Sequence, residues 1–283
     1  MPEGHTLHRL AREQHKLFAG RPVRASSPQG RFAEGAAAID GQLMRRVEAN
    51  GKHLLQYYAS GAVLHVHLGL YGKFTTGSGL PPEPKGELRL RLVGEDAWTD
   101  LRGATTCELL ERDQVATLFA RLGPDPLRAG TDPMLAYRRI SRSATVIAAL
   151  LMDQQVVAGI GNVYRAELLY RHGVDPYLPG RELGLPTWLA MWADLVELMR
   201  HGVRVGRIET LRPQDRPRKR GRLARDEAGY VYRRTGLPCR VCGTEVRTAV
   251  LVARNLYWCP YCQPPGSAGW AEPAPAGRAL PGG

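Results

Sequence analysis

Cys239-Arg240-Val241-Cys242 and Cys259-Pro260-Tyr261-Cys262 stand sixteen residues apart near the end of the chain. Two knuckles with this C-x2-C-x16-C-x2-C spacing bring four thiolates around one tetrahedral ion, and Zn2+ is the usual occupant. Four protein ligands leave no open coordination position, so the ion is expected to be structural. A disulfide pair is the competing reading. Against it, the N-terminus lacks the apolar core of a signal peptide, and His5, His8, Arg9 and Arg12 fall where that core would be. The expectation is therefore an intracellular chain that keeps its thiols for metal. Arg247 and Arg254 lie between the knuckles, and an arginine held on a rigid hairpin suits phosphate contact. Cys107 has no partner in sequence and reads as a small buried apolar residue.

Outward from this motif, 283 residues are enough for two domains and a small third module. Lys and Arg number 39 against 27 Asp and Glu, a net charge of +12, and the excess is mostly arginine. A surface that basic seeks polyanions: nucleic acid first, an anionic membrane second, with a basic protein lacking such a partner as the plain alternative. No stretch qualifies as a membrane span. The most apolar one, Ala144 to Val163, is broken by Asp153-Gln154-Gln155.

Leu7, Leu10, Ala11, Gln14, Leu17 and Phe18 follow helical spacing up to Gly20. From Pro22 to Leu101 the pattern changes to short strands. Leu54 to Tyr58, a turn at Ala59-Ser60-Gly61 and Val63 to Leu68 predict a hairpin. Leu88, Leu90 and Leu92 alternate with Arg89 and Arg91, which predicts one buried and one basic face. Strands at this spacing predict a β-sandwich or barrel. Gly123-Pro124-Asp125-Pro126 reads as a linker into helices at Met134–Ser141, Thr145–Gln154, Asn162–His172 and Pro186–His201. Arg204 to Arg225 reads as a flexible, solvated basic loop, and Pro264 to Gly283 as a disordered Pro-, Gly- and Ala-rich tail.

Two segments carry potential chemistry. Met1-Pro2-Glu3 yields a secondary amine beside a carboxylate once Met1 is removed, although many chains begin Met-Pro for no chemical reason. An α-amine titrates near ~8, so part of it is unprotonated at neutral pH, and a helix N-terminus depresses it further. Such an amine attacks an aldehyde-like carbon to give an iminium, an electron sink. Ala158-Gly159-Ile160-Gly161-Asn162 joins two helices, with Asn162 placed to cap the second. It is either a phosphate-binding turn or an ordinary helix-turn-helix corner.

Pro2-Glu3, a hairpin lysine in Ala49-Asn50-Gly51-Lys52-His53, the Gly-x-Gly-Asn turn and the four-cysteine ribbon occur in that order. Together they resemble the Fpg/Nei family of base-excision-repair DNA glycosylases, most nearly its endonuclease VIII branch of the actinobacterial type, over Pro2 to Gln263. The resemblance implies an α+β fold. It places an N-terminal β-sandwich with an N-terminal helix at 1–122, a helical domain with a helix–two-turn–helix motif at 123–228 and a zinc ribbon at 229–263. It implies that Pro2 is the nucleophile and Glu3 the acid assisting base loss. Lys52, otherwise a plain hairpin lysine, would contact phosphate and aid β-elimination. Arg254 would grip the lesion's phosphate and support δ-elimination, and Asn162 and Arg121 would contact DNA. In His67-Leu68-Gly69-Leu70-Tyr71-Gly72, Leu70 and Tyr71 resemble the wedge that fills the gap of a flipped base, but Gly69 stands where endonuclease VIII has glutamine. His65 and His67, two apart on one strand, suggest a metal pair; with no third ligand nearby, structural or phosphate roles are preferred.

The implied activity is a bifunctional glycosylase and abasic-site lyase on double-stranded DNA with damaged bases or abasic sites. Its cofactor is one structural zinc, and the chain is expected to be a cytoplasmic, nucleoid-associated monomer with no membrane partner. The start Met-Pro-Glu-Gly-His-Thr and the element Asp100-Leu101-Arg102-Gly103 depart from the purine-type pattern, which favours oxidised pyrimidines. The alternatives are a formamidopyrimidine/8-oxoguanine glycosylase of the same family and a non-enzymatic binder of damaged DNA.

Overall fold

The structure, a computed structural model, describes residues 2–218, 221–224 and 226–269. The chain divides into two compact units, one ending at Leu122 and one beginning at Gly123. The N-terminal unit opens with helix α1 (Gly4–Phe18), which buries Leu7, Ala11, Gln14 and Phe18, a single stripe at helical spacing. Eight strands follow: β1 (Arg21–Ser26), β2 (Gln42–Asn50), β3 (His53–Tyr58), β4 (Val63–His67), β5 (Lys73–Ser78), β6 (Leu88–Val93), β7 (Ala97–Arg102) and β8 (Thr106–Leu110). Helix α2 (Ala33–Ile39) links β1 to β2, and α3 (Arg112–Ala120) closes the unit.

Strand β1 belongs to two antiparallel leaves. Its first half, Arg21 to Val23, pairs with β2 in the leaf β1-β2-β3-β4-β8, and Arg24 to Ser26 pair with β6 in the leaf β1-β6-β7-β5. Leu54, Leu64 and Val66 of the first leaf, Leu90, Leu92 and Leu101 of the second, and Leu7 and Phe18 of α1 share one core. This is the expected sandwich and N-terminal helix. Polar groups fix α1 on the first leaf: the Gln56 amide donates to Gln14 Oε1 at 2.7 Å, and the Val47 amide donates to His15 Nδ1 at 3.2 Å. The opposite side of that leaf is apolar only at one end, where Leu55 and Val63 meet Val115 of α3. The basic face expected on β6 is not bare. Arg91 is buried, and its guanidinium forks onto Asp100 at 2.7 and 2.9 Å, because a neighbouring strand supplies the carboxylate.

The C-terminal unit contains α4 (Met134–Ile140), the one-turn α5 (Ile147–Leu150), α6 (Asn162–Arg171), α7 (Leu185–Val205) and the hairpin β9 (Arg247–Leu251) and β10 (Arg254–Trp258). In α7, Trp188, Met191, Trp192, Leu195, Leu198 and Met199 form the buried stripe, and Gly206 ends the helix at φ 76°. The expected helix over 145–154 shrinks to α5 because Asp153 and Gln154 turn the chain: Asp153 Oδ1 accepts the Gln155 amide at 2.8 Å.

Three further expectations change. The supposed linker is built into the second unit: Gly123 N–H donates to the Gln154 carbonyl at 2.8 Å, and Asp125 is buried. Glu167, fully buried in α6, anchors the basic segment through Thr210 within it and through residues 230–232 beyond it. Its carboxylate accepts Thr210 Oγ1–H at 2.6 Å and the amides of Tyr230, Val231 and Tyr232 at 2.7, 2.9 and 2.8 Å. Within that segment buried Glu209 accepts from Arg207 at 2.6 Å and Arg216 at 3.3 Å, so part of the positive charge is already matched. Lys219, Arg220 and Arg225 lie outside the described residues. The supposed disordered tail has a fixed place through Gly269: Ala268 pairs with Val174, and Ser267 Oγ donates to the Gly173 carbonyl at 2.8 Å. Residues 270–283 lie outside the described residues.

Asp194 is the acid-sensitive support of this unit. Burial pushes its carboxyl up, but His172 and Arg171, which forks onto it at 2.7 and 2.6 Å, outweigh burial and hold it at about 2. A carboxyl lowered by folding stabilises above its unfolded pKa of about 4 and loses that contribution as pH falls towards 2. Asp194→Asn is expected to cost roughly 2–4 kcal/mol at neutral pH, because Arg171 stays buried without its counter-ion. It should also flatten the acid limb of stability between about pH 4 and 2. Denaturant titrations of both proteins across pH check this; equal neutral stabilities count against the assignment.

Candidate active site

Glu3 is the extended residue that precedes α1, at φ −124° and ψ 178°, and its carbonyl accepts the Thr6 amide at 2.8 Å. Its side chain is fully buried and does not cap the helix. Pro2, half-buried, thus stands at the positive end of a fifteen-residue helix, where a protonated amine is disfavoured. Burial also pushes His5 in the first turn down to about 4, so it stays neutral.

Lys52 sits in the turn Gly51-Lys52 between β2 and β3, the two strands on which α1 packs. The start of the chain and this lysine therefore belong to one packed body. Lys52 lies close to two imidazoles. Burial first, then the neighbouring histidines and the Lys52 ammonium, push His53 down to about 3 and His67 below its ordinary range.

His67 ends β4, and the next turn is closed by the Gly72 amide donating to the Leu68 carbonyl at 2.9 Å. The turn lifts Leu70 to 43% exposure and Tyr71 to 86%, large apolar groups held in water on a short, hydrogen-bonded loop. Gly69 has φ 65°, and a Cβ there would lie 1.9 Å from Thr105 Oγ1. Backbone and space both select glycine at this departure from the family pattern. Arg121 is exposed at the end of α3.

In the C-terminal unit the structure corrects the part expected of Asn162. Gly161, not Asn162, precedes α6, and Asn162 makes no capping bond. Its amide instead donates to the Asn255 carbonyl at 2.9 Å, and its Oδ1 accepts from Arg165. Arg165, fully buried, also donates to the Asn255 carbonyl at 3.2 Å. The Gly-x-Gly-Asn turn is thereby tied to β10, one residue beyond Arg254. Gln154 braces the turn from inside, donating to the Ile160 carbonyl and accepting the Gly159 amide, each at 3.0 Å. Sequence reading missed Gln154, Arg165 and Asn255. Arg165 had one detectable signal, a charge on the otherwise apolar face of α6 three residues after Asn162; Asn255 acts through its backbone, which carries no sequence signal.

Cys239, Cys242, Cys259 and Cys262 offer sulfurs that all lie within 4.8 Å of one another. The Cys239–Cys262 and Cys242–Cys259 separations, 3.9 and 3.5 Å, bracket the spacing of about 3.8 Å for thiolates 2.3 Å from a tetrahedral ion. The residues fit one structural zinc, and the Tyr170 hydroxyl lies 3.1 Å from Cys239 Sγ as a hydrogen-bond donor to a bound thiolate. Cys107 is half-buried on the sandwich core, and burial pushes its thiol up to about 12.

The two-residue turn of the zinc hairpin is strained. Val252 and Ala253 both have left-handed φ, 51° and 53°, where glycine and asparagine are at home and a β-branched residue is not. They immediately precede Arg254. Val252→Asn with Ala253→Gly is expected to stabilise the C-terminal unit by about 1–2 kcal/mol, measured as a raised unfolding midpoint in calorimetry. A midpoint that stays or falls contradicts the strain. Cys259→Ser is expected to abolish zinc in metal analysis and to melt the hairpin.

Comparison with known proteins follows this layout. Residues 1–107 match the family profile described as the formamidopyrimidine-DNA glycosylase N-terminal domain, residues 122–213 its H2TH domain, and residues 236–265 a zinc finger found in FPG and IleRS. The chain is 54% identical to endonuclease 8 1 of Mycobacterium tuberculosis over 93% of its length and all of the relative's. It is 34% identical to the formamidopyrimidine-DNA glycosylase of Gloeobacter violaceus, covering 93% of this chain and 96% of that one. Among solved structures, a complex of the Lactococcus lactis Fpg with DNA containing an abasic site superposes with a TM-score of 0.74 at 23% identity, over 93% of this chain and 99% of that one. At that identity the likeness bears on fold.

Proposed function

This chain belongs to the formamidopyrimidine-DNA glycosylase and endonuclease 8 family of base-excision-repair DNA glycosylases, and from that premise we propose that it is bifunctional, removing oxidised pyrimidines and then cutting the abasic strand. The observation that carries the reading is Glu3, a fully buried carboxylate adjoining Pro2 at the positive end of α1. A buried acid beside a secondary amine suits a reaction needing a nucleophile and a proton at one carbon.

With Met1 removed, the Pro2 nitrogen attacks the sugar C1′ of a flipped nucleotide. The glycosidic bond breaks, Glu3 assists as the sugar ring opens, and the nitrogen–C1′ bond becomes an iminium. The iminium acidifies the C2′ proton; its loss, aided by Lys52, expels the 3′ phosphate. A further elimination, supported by Arg254, expels the 5′ phosphate. Leu70 and Tyr71 fill the gap in the duplex, and Asn162, Arg121 and His67 hold its phosphates. The protein acts as a monomer on nucleoid DNA in the cytoplasm, with strongly salt-dependent affinity. Among the described residues no helix is long and apolar enough to cross a membrane.

Borohydride trapping on duplex DNA with one abasic site tests this. A covalent adduct mapping to Pro2 is expected, and Pro2→Gly should lose most of it while still binding DNA. Glu3→Gln should slow base removal by about 10²–10⁴-fold. No adduct from a protein with Met1 removed and zinc bound would leave only a binder of damaged DNA. A panel of lesion oligonucleotides checks the substrate, and strong preference for 8-oxoguanine opposite cytosine would replace pyrimidines with purines.

A further inference from the structure

The proposed reaction gives no part to His53, His65 or Glu108, yet these side chains form a continuous chain on the outer face of the first leaf. Register places Asn50, His53 and His67 side by side, and His65 beside Glu108. His65 Nδ1 lies 2.9 Å from Glu108 Oε1, and His65 Nε2 lies 2.9 Å from His53 Nδ1. His65 is only 5% exposed. The His53 ring centroid is 5.1 Å from those of both His65 and His67.

The donors follow from elementary bonding. A carboxylate only accepts, so His65 Nδ1 carries a hydrogen. When His65 is neutral its Nε2 is bare and accepts from His53 Nδ1–H, which leaves His53 Nε2 as a lone pair. When His65 is protonated its Nε2–H donates to His53 Nδ1, and neutral His53 carries its hydrogen on Nε2 instead. One proton at His65 thus turns the far nitrogen of His53 from acceptor to donor. Glu108 stands beside His65, while burial and the adjoining positive charges keep His53 and His67 neutral.

We propose that Glu108 and His65 are positioning residues that set the tautomer of His53, and that His53 in its acceptor form holds the Lys52 ammonium in place for strand cleavage. The inference rests on the part given to Lys52 in the lyase step. A bare Nε2 attracts an ammonium; an Nε2–H repels it. Around His65 lie His53 and Leu55 of β3, with Tyr57 further along the same face, Glu108 of β8 and His67 of its own strand; the Lys52 charge acts on His53 and His67. Across Tyr57 stand Glu48, which accepts its hydroxyl, and Arg46, 3.7 Å above its ring. Helix α3 brings apolar Val115 and Phe119 to this face, and its Arg112 and Asp113 are exposed.

Glu108→Gln offers His65 Nδ1 a donor as well as an acceptor, so His65 is free to carry its hydrogen on Nε2 and so to turn His53 Nε2 into a donor. The experiment is single-turnover cleavage of abasic duplex by the zinc-loaded full chain, beside 15N spectra of the histidine rings. The expected result is His53 Nε2 bare in the wild type and hydrogen-bearing in Glu108→Gln, with cleavage slowed several-fold in Glu108→Gln and in His65→Gln. Cleavage that Glu108→Gln leaves unchanged, or a His53 Nε2 that is the same in both proteins, overturns the proposal. If His65→Gln does not fold, Glu108→Gln and the spectra decide. Wild-type protein that forms no borohydride adduct removes the lyase reading instead; the spectra still judge the relay, a His53 nitrogen that differs between the two proteins upholding it and an unchanged one ending it.

Discussion

The antiparallel register between β2 and β3 is the constraint on which the candidate residues of the N-terminal unit depend. Pairing Asn50 with His53, Glu48 with Leu55 and Val47 with Gln56 turns Ala49, Leu54, Gln56 and Tyr58 inwards towards α1, and Asn50, His53 and Leu55 to the other side. A slip of one residue would exchange the two sets, because side chains alternate with period two. The inward set seats α1, which Pro2 and Glu3 immediately precede. The outward set builds the imidazole row beside Lys52. One hydrogen-bonded ladder thus positions the chain start, the lysine and the histidines together.

The C-terminal unit is held by polar groups taken out of water. The Asn255 carbonyl receives both Asn162 and Arg165, and the Glu167 carboxylate receives a hydroxyl and three amides. Leaving any such buried group unpaired costs about 1–3 kcal/mol, more for a charge, so these contacts fix geometry even where their net contribution is small. They bind the zinc hairpin to the glycine-rich turn and the basic segment to α6. Within this hydrogen-bonded framework the strained Val252-Ala253 turn stands out, and it sits beside the arginine proposed to grip phosphate.

The parts that the sequence disclosed share a physical character: their signals are local. Four cysteines at knuckle spacing, an amphipathic stripe ending in Gly20, a hairpin around Ala59-Ser60-Gly61 and the glycine pair before Asn162 each declare themselves within a few residues. The misreadings share the opposite character. Arg91 looked like a surface charge until β7 placed Asp100 against it. Asn162 looked like a cap until β10, ninety-three residues on, presented a carbonyl. The basic segment looked loose because Glu167 belongs to a different helix.

By itself, then, the chain's sequence determined the zinc ligands, the strand-then-helix division near Leu122 and the chemical types available at Pro2, Glu3, Lys52 and Arg254, because spacing and residue type suffice for these. Only the tertiary structure decided which charges are matched, which amide holds which carbonyl, and that His53, His65 and Glu108 form one hydrogen-bonded line. Such pairings join residues from strands and helices distant in sequence, and only strand register and helix packing bring their polar atoms to within 3 Å.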